Sequence, residues 1–168
     1  MQRILPFLIA ILLWNCNDGD LQIETIDFDD VSIQTCESTV STATTVFFKI
    51  NGDEALILDL QSGILANEAS SDTIVSTLAG QSSLLYRIFS GTVSQSYFCD
   101  EIPPTDPTVI EEIEAISGEV LINTVQNASD TTLYEHTILL RDVSLLNSQG
   151  ERITDTSIND FGVVTTQE

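Results

Sequence analysis

The chain has 168 residues, of which 42% are hydrophobic, enough for one domain with a packed core and too few for two. Its formal net charge is -21, from 26 acidic against 5 basic residues. That balance excludes nucleic acid as a partner, because phosphate binding requires a basic footprint. It also excludes electrostatic docking on anionic lipid, so any membrane attachment has to come from something other than side-chain charge.

The amino terminus supplies such a means. Met1–Arg3 carries one positive charge and is followed by the apolar run ILPFLIAILLW, Ile4 to Trp14. A bilayer-spanning helix needs about 20 apolar residues, so this run is too short to span and has the length of a signal-peptide core. Pro6 within it and Arg3 before it argue against a buried strand or helix. Residues 1–15 are therefore expected to be an export signal, and their removal takes Arg3 with them. The basic residues left are Lys49, Arg87, Arg141 and Arg152.

Leu13-Trp14-Asn15-Cys16 resembles a lipobox, the signal for acylating a cysteine and cleaving just before it. The resemblance implies that Cys16 is the lipidated first residue of a mature lipoprotein. Leu13 fits the pattern; Trp14 and Asn15 stand where small residues are usual, which leaves plain secretory cleavage open. Asn17-Asp18-Gly19-Asp20 is polar and flexible, suited to a tether between membrane and domain. One acyl chain anchors only marginally and two hold firmly, at about 0.8 kcal/mol per buried methylene. Residues 16–30 read as tether and entry segment, and 31–168 as the domain.

Three cysteines are present, Cys16, Cys36 and Cys99. If Cys16 carries lipid, Cys36 and Cys99 remain to pair in an oxidising compartment; the alternative is two buried free thiols. Two cysteines and one histidine offer no metal-ligand spacing.

The domain reads as strands and turns. Val31–Cys36 alternates apolar and polar. Thr45–Ile50 and Ala55–Leu60 flank Asn51-Gly52, a hairpin signal because both residues tolerate the positive φ of a type I′ turn. Ser62–Ser83 is ambiguous, with a short strand favoured at Thr73-Ile74-Val75 and a helical turn permitted at Ser76–Ala79. Leu84–Phe89 and Thr92–Cys99 read as strands around the turn Ser90-Gly91. Pro103, Pro104 and Pro107 exclude their segment from a central ladder. Val109–Ile116 and Glu119–Val125 read as two strands broken at Ser117-Gly118. Leu133–Val143 is a long strand with Leu133, Glu135, Thr137, Leu139 and Arg141 on one face. Asn147–Gly150 is a turn, and Phe161–Val164 a last strand. About seven to ten strands at this spacing predict an all-β antiparallel sandwich.

Several stretches together resemble a family of small flavobacterial (Bacteroidota) lipoproteins. They are Cys16-Asn17-Asp18-Gly19-Asp20, Phe47–Ile50, Tyr86–Gly91, Tyr97-Phe98-Cys99 with Ile102-Pro103-Pro104, Thr108-Val109 with its glutamates, Ile116-Ser117-Gly118 and Tyr134–Ile138. The resemblance implies an outer-membrane or cell-surface location (the periplasmic face is the alternative), the Cys36–Cys99 bridge and the β fold. It implies no activity. Asp72-Thr73-Ile74 and Asp130-Thr131-Thr132 resemble the O-glycosylation motif of the same phylum, which would place sugar on Thr73 and Thr131. Asn127-Ala128-Ser129 fits the N-glycosylation pattern, of little weight in a bacterium.

No catalytic set emerges. His136 is the one histidine, mid-strand beside Tyr134 and Ile138, without a nucleophile elbow, a phosphate-cradling loop or a zinc helix around it. Acid pairs at Asp29/Asp30, Asp100/Glu101 and Glu111/Glu112 arise freely among 26 acids. A hydrolase would need two of them facing across a cleft. No cofactor is implied, apart from calcium at Asp27, Asp29 and Asp30, where EF-hand spacing is lacking. The expected function is a non-enzymatic, membrane-anchored subunit that binds an outer-membrane protein. The alternative is a glycan-binding module stacking sugars on Tyr86, Tyr97 or Tyr134.

Overall fold

A computed structural model describes residues 26–150, 152–154 and 159–168. The expected signal segment, Cys16 and the tether up to Thr25 lie outside the described residues. Eight strands run antiparallel: β1 (Val46–Asn51), β2 (Glu54–Asp59), β3 (Ile74–Thr77), β4 (Ser83–Phe89), β5 (Val109–Gln126), β6 (Leu133–Leu146), β7 (Arg152–Thr154) and β8 (Asp160–Gln167). Among the described residues one short helix, α1 (Gln95–Cys99), separates β4 from β5. The all-β antiparallel expectation holds. The eight strands form one continuous sheet curled into a half-barrel.

The long strands β5 and β6 produce the curl. The first half of β5 pairs with β4 and its second half with β3; β6 pairs with β8 early and with β7 at its end. Between the halves the β5–β6 register slips at Ala115–Ser117 and again at Ser117–Glu119. The side-chain phase slips with it. Buried positions on β5 are Ile113 and Ala115 before the bend, and Val120, Ile122 and Thr124 after it. On β6 they are Tyr134, His136, Ile138 and Leu140, then Val143, Ser144 and Leu145. Each bulge adds a residue that shifts the period-2 alternation, so both halves keep an apolar face toward one core. Gly118 (φ +130) and Asp142 (φ +53) sit at this bend.

That core joins Phe47, Leu56, Leu58, Leu84 and Tyr86 from one half to Ile122, Ile138, Leu140 and Phe161 from the other. Ile26 and Phe28 are buried in it, so the packed domain takes in residues ahead of Val31. The outer face of β1, β2 and β4 is apolar too, through Phe48, Ala55, Ile57 and Phe89, and carries a second, smaller core.

α1 covers this second core and corrects the strand expected over Thr92–Cys99. A strand would send Tyr97 and Phe98 to opposite faces. The helical turn brings both to the same place: Phe98 stacks on Phe48 (ring centroids 4.6 Å), and Tyr97 meets Phe89 edge-on at 4.9 Å. Cys99, at the end of α1, is disulfide-bonded to Cys36. Gln95 Nε2 donates to the Thr35 carbonyl beside it (2.9 Å).

Four other local readings need correction. Val31–Cys36 is not a ladder strand; only Gln34 pairs, through two backbone bonds to Phe48. The first hairpin forms, but Asn51 pairs with Glu54, so its turn residues are Gly52 and Asp53. Gly52 has φ +65 and Asp53 does not take positive φ, the sign pattern of a type II′ turn and not of type I′. β5 continues through Ser117-Gly118, because a bulge absorbs the residues that read as a break. Ser76 and Thr77 belong to β3, leaving the turn to Ala79 and Gly80.

Candidate functional site

His136 lies on the inward face of β6 with no exposed surface. Its Nδ1 is 2.8 Å from Thr124 Oγ1 on β5, and its Nε2 is 2.8 Å from Thr166 Oγ1 on β8. Thr166 in turn donates to Asn67 Oδ1 (2.6 Å), while Asn67 Nδ2 donates to the Gln167 carbonyl (3.1 Å). This last bond orients the amide and therefore the whole chain. A hydroxyl has one proton, so Thr166, having given its own to Asn67, accepts from Nε2–H. Nδ1 is then left as the acceptor for Thr124. The neutral imidazole satisfies every partner, and burial lowers its pKa from the ordinary value of 6.5. His136 holds the 61–72 loop onto the sheet and is shut off from any substrate.

The folded state disfavours the imidazolium, so the unfolded chain binds the extra proton first. His136 therefore contributes stability that is full above pH 6.5 and is lost as pH falls toward its lowered folded pKa. The loss is at most about 1.4 kcal/mol per pH unit. Urea titrations between pH 7.5 and 5 should show this slope as a difference between wild type and His136→Asn. A constant difference across that range would contradict a buried neutral histidine.

Among the described residues Lys49 is the buried cation, 2% exposed. Its Nζ donates to the Phe28 carbonyl at 2.8 Å and reaches the Asp160 carbonyl at 3.5 Å, and it stands 5.6 Å from the centre of the Phe161 ring. Burial lowers its pKa, and the charges of Asp160 and Asp29 partly restore it. Asp29, Ile33, Asp160 and Val163 line, with Lys49, an open cleft of about 290 Å³. The ammonium ties the entry segment and the start of β8 to β1. Lys49→Met keeps the packing and removes the desolvated charge, so it should change stability by less than about 1 kcal/mol, whereas Lys49→Ala should cost about 3 kcal/mol. Equal losses for the two variants in chemical denaturation would show that the charge, not the packing, holds this corner.

A second groove of about 380 Å³ brings Asp59 and Glu114 together with Gln61, Gln81 and Ser83. No aromatic or basic side chain lines it. Neither of these acids belongs to the pairs singled out in the sequence; Asp29, which does, lines the Lys49 cleft together with Asp160. Of those pairs, Glu112 is bound to Arg87 at 2.5 Å. Asp27 Oδ1 accepts the backbone N–H of Asp29 (3.2 Å). Among the described residues no three carboxylate, histidine or cysteine side chains converge to hold a metal, so Asp27, Asp29 and Asp30 do not form the calcium set.

The stacking platform is also not formed. Tyr86 and Tyr134 are buried, and Tyr97 packs on Phe89 and Phe98. Thr73 and Thr131 are both exposed; Thr73 Oγ1 donates to Asn123 Oδ1 (2.9 Å), and the Thr131 carbonyl accepts from Gln126. Sequence reasoning did not single out Thr124, Thr166, Asn67 or Lys49. Lys49 carried a signal, as a lysine within the apolar run TVFFKI; the hydroxyl chain carried none.

Compared with known proteins, the chain matches no family model, no curated protein and no solved structure.

Proposed function

We propose that the protein is a lipid-anchored outer-membrane or cell-surface lipoprotein, acting as a non-enzymatic binding or accessory subunit of an outer-membrane protein complex. The observation that carries this reading is the Cys36–Cys99 disulfide. A disulfide belongs to an oxidising compartment, in agreement with an export signal, and it leaves Cys16 as the odd cysteine at a lipobox-like sequence. Lipid on Cys16 would also attach to the membrane a chain whose charge repels anionic headgroups. The sealed His136 supports a binding role over a catalytic one, since the one imidazole has no route to a substrate.

The test is affinity purification of the full chain from detergent-solubilised outer membranes. A stoichiometric membrane-protein partner, recovered reproducibly and lost in a Cys16→Ala variant, is the expected outcome. A protein that is reproducibly solitary would overturn the accessory-subunit reading.

A further inference from the structure

We infer that the open edge of β5 at Val109–Ile113 is a docking site for a basic, extended segment of a partner protein, which adds to the sheet as a further strand. This inference deepens the accessory-subunit reading and rests on it.

β5 is longer than the strand beside it. Pairing with β6 begins only at Glu114, opposite Leu146. Val109, Glu111, Glu112 and Ile113 pair with β4 on one side, with Ile110 bulged out between Val109 and Glu111, and among the described residues no backbone pairs with this stretch on the other. Backbone donors and acceptors left along such an edge are a template for strand addition. Exposed apolar side chains lie along the same strand and on the segment that leads into it. Ile110 is 67% exposed, Val109 and Ile116 are exposed on the same strand, and Ile102, in the loop leading to it, is 84% exposed. These are four of the eight large apolar side chains exposed among the described residues, a concentration of the kind that marks interaction surfaces.

Charge decides the occupant. Asp100, Glu101, Asp106, Glu111, Glu112 and Glu114 all fall between residues 100 and 116, where there is no lysine or arginine; Arg87 on β4 pairs with Glu112 and leaves the other five acids in excess. A second copy of this chain would set the same acids against themselves, and two chains of net charge -21 repel one another. Like charges directly opposite in a ladder are destabilising. A strand carrying Lys or Arg on one face and apolar residues on the other complements the edge in both respects.

The test uses the full mature chain and three end-capped octapeptides: one alternating Lys and Val, one alternating Glu and Val, and a Lys-Val peptide with proline at a central valine. Backbone amide shifts and exchange rates are followed by NMR. The Lys-Val peptide should perturb and protect amides at Val109–Ile113, saturably and less so at high salt. The Glu-Val peptide should not bind. Proline removes ladder donors, so the interrupted peptide should bind about tenfold more weakly, as should the Lys-Val peptide to Ile110→Lys. Ile110 is exposed, so that variant keeps its fold, and Val75→Lys on β3 serves as the off-site control. Equal binding of the proline peptide, shifts centred elsewhere, or concentration-dependent dimerisation through this edge would overturn the inference. If Ile110→Lys still recovers the membrane partner, this edge is not the site and the accessory reading stands. If the wild-type protein recovers none, that reading itself has failed.

Discussion

Replacing Cys36 and Cys99 together with alanine should lower the unfolding free energy by about 4 kcal/mol. The bridge spans 63 residues of sequence, and closing a loop of that length removes about this much conformational freedom from the unfolded chain on the entropy model. The loop contains β1 to β4 and α1, half of the curled sheet. A domain of this size has about 5–15 kcal/mol in total, so the thermal midpoint should fall by about 10–15 °C. Reductant added to the wild type should reproduce the shift. In the native state the first amides to lose exchange protection should be those of 90–99, because α1 is joined to the sheet by Cys99, Phe98 and Tyr97. An unchanged midpoint in the double variant would mean that these aromatic contacts alone hold α1.

Gly118→Ala should be comparably severe, at about 4 kcal/mol. The glycine has φ +130, a region that L side chains rarely adopt. A Cβ there would meet Val143 Cα at 3.0 Å, the Arg141 carbonyl oxygen at 3.1 Å and Leu78 Cδ1 at 3.0 Å. Two of these three are backbone atoms that cannot swing aside. Strain of about 1–3 kcal/mol adds to a similar overpacking cost. The position is also where β5 and β6 bend together, and the Leu78 N–H donates to its carbonyl at 2.9 Å. Gly91→Ala is the control: a Cβ there meets nothing, and the cost should stay within about 0.5 kcal/mol. Denaturant midpoints of the two variants check both statements. Similar midpoints would show that the bend is not confined to glycine.

The same bend explains what the sequence conceals. Alternation is legible wherever one strand keeps one phase with one polar face, as from Leu133 to Leu140, and that element is found where expected. Ser117-Gly118 looks like an end because the buried phase changes from Ala115 to Val120, and a bulge and a break leave the same mark on a linear pattern. Sheet closure is a long-range property, and neither the pairing of β3 with β5 nor that of β8 with β6 has a local signal. The segment Thr92–Cys99 misleads for a related reason. Its composition suits a strand, but the apolar outer face of β1, β2 and β4 needs Tyr97 and Phe98 side by side, and a helical turn supplies that. The two cysteines could be read by counting alone. His136 was legible as a lone strand histidine, but its partners Thr124 and Thr166, and Asn67 bonded to Thr166, come from three separate segments that only the folded sheet brings together. Lys49 shows the converse. An apolar run around a lysine says that the ammonium is buried, but not that the Phe28 and Asp160 carbonyls receive it.

The most direct measurement is the intact mass of the protein extracted from its native membrane, before and after alkylation. It should begin at Cys16, carry acyl mass on that residue, and lack two hydrogens for the Cys36–Cys99 bridge, with no thiol free to alkylate. A chain that still begins at Met1 and alkylates at all three cysteines would contradict export, anchor and bridge together.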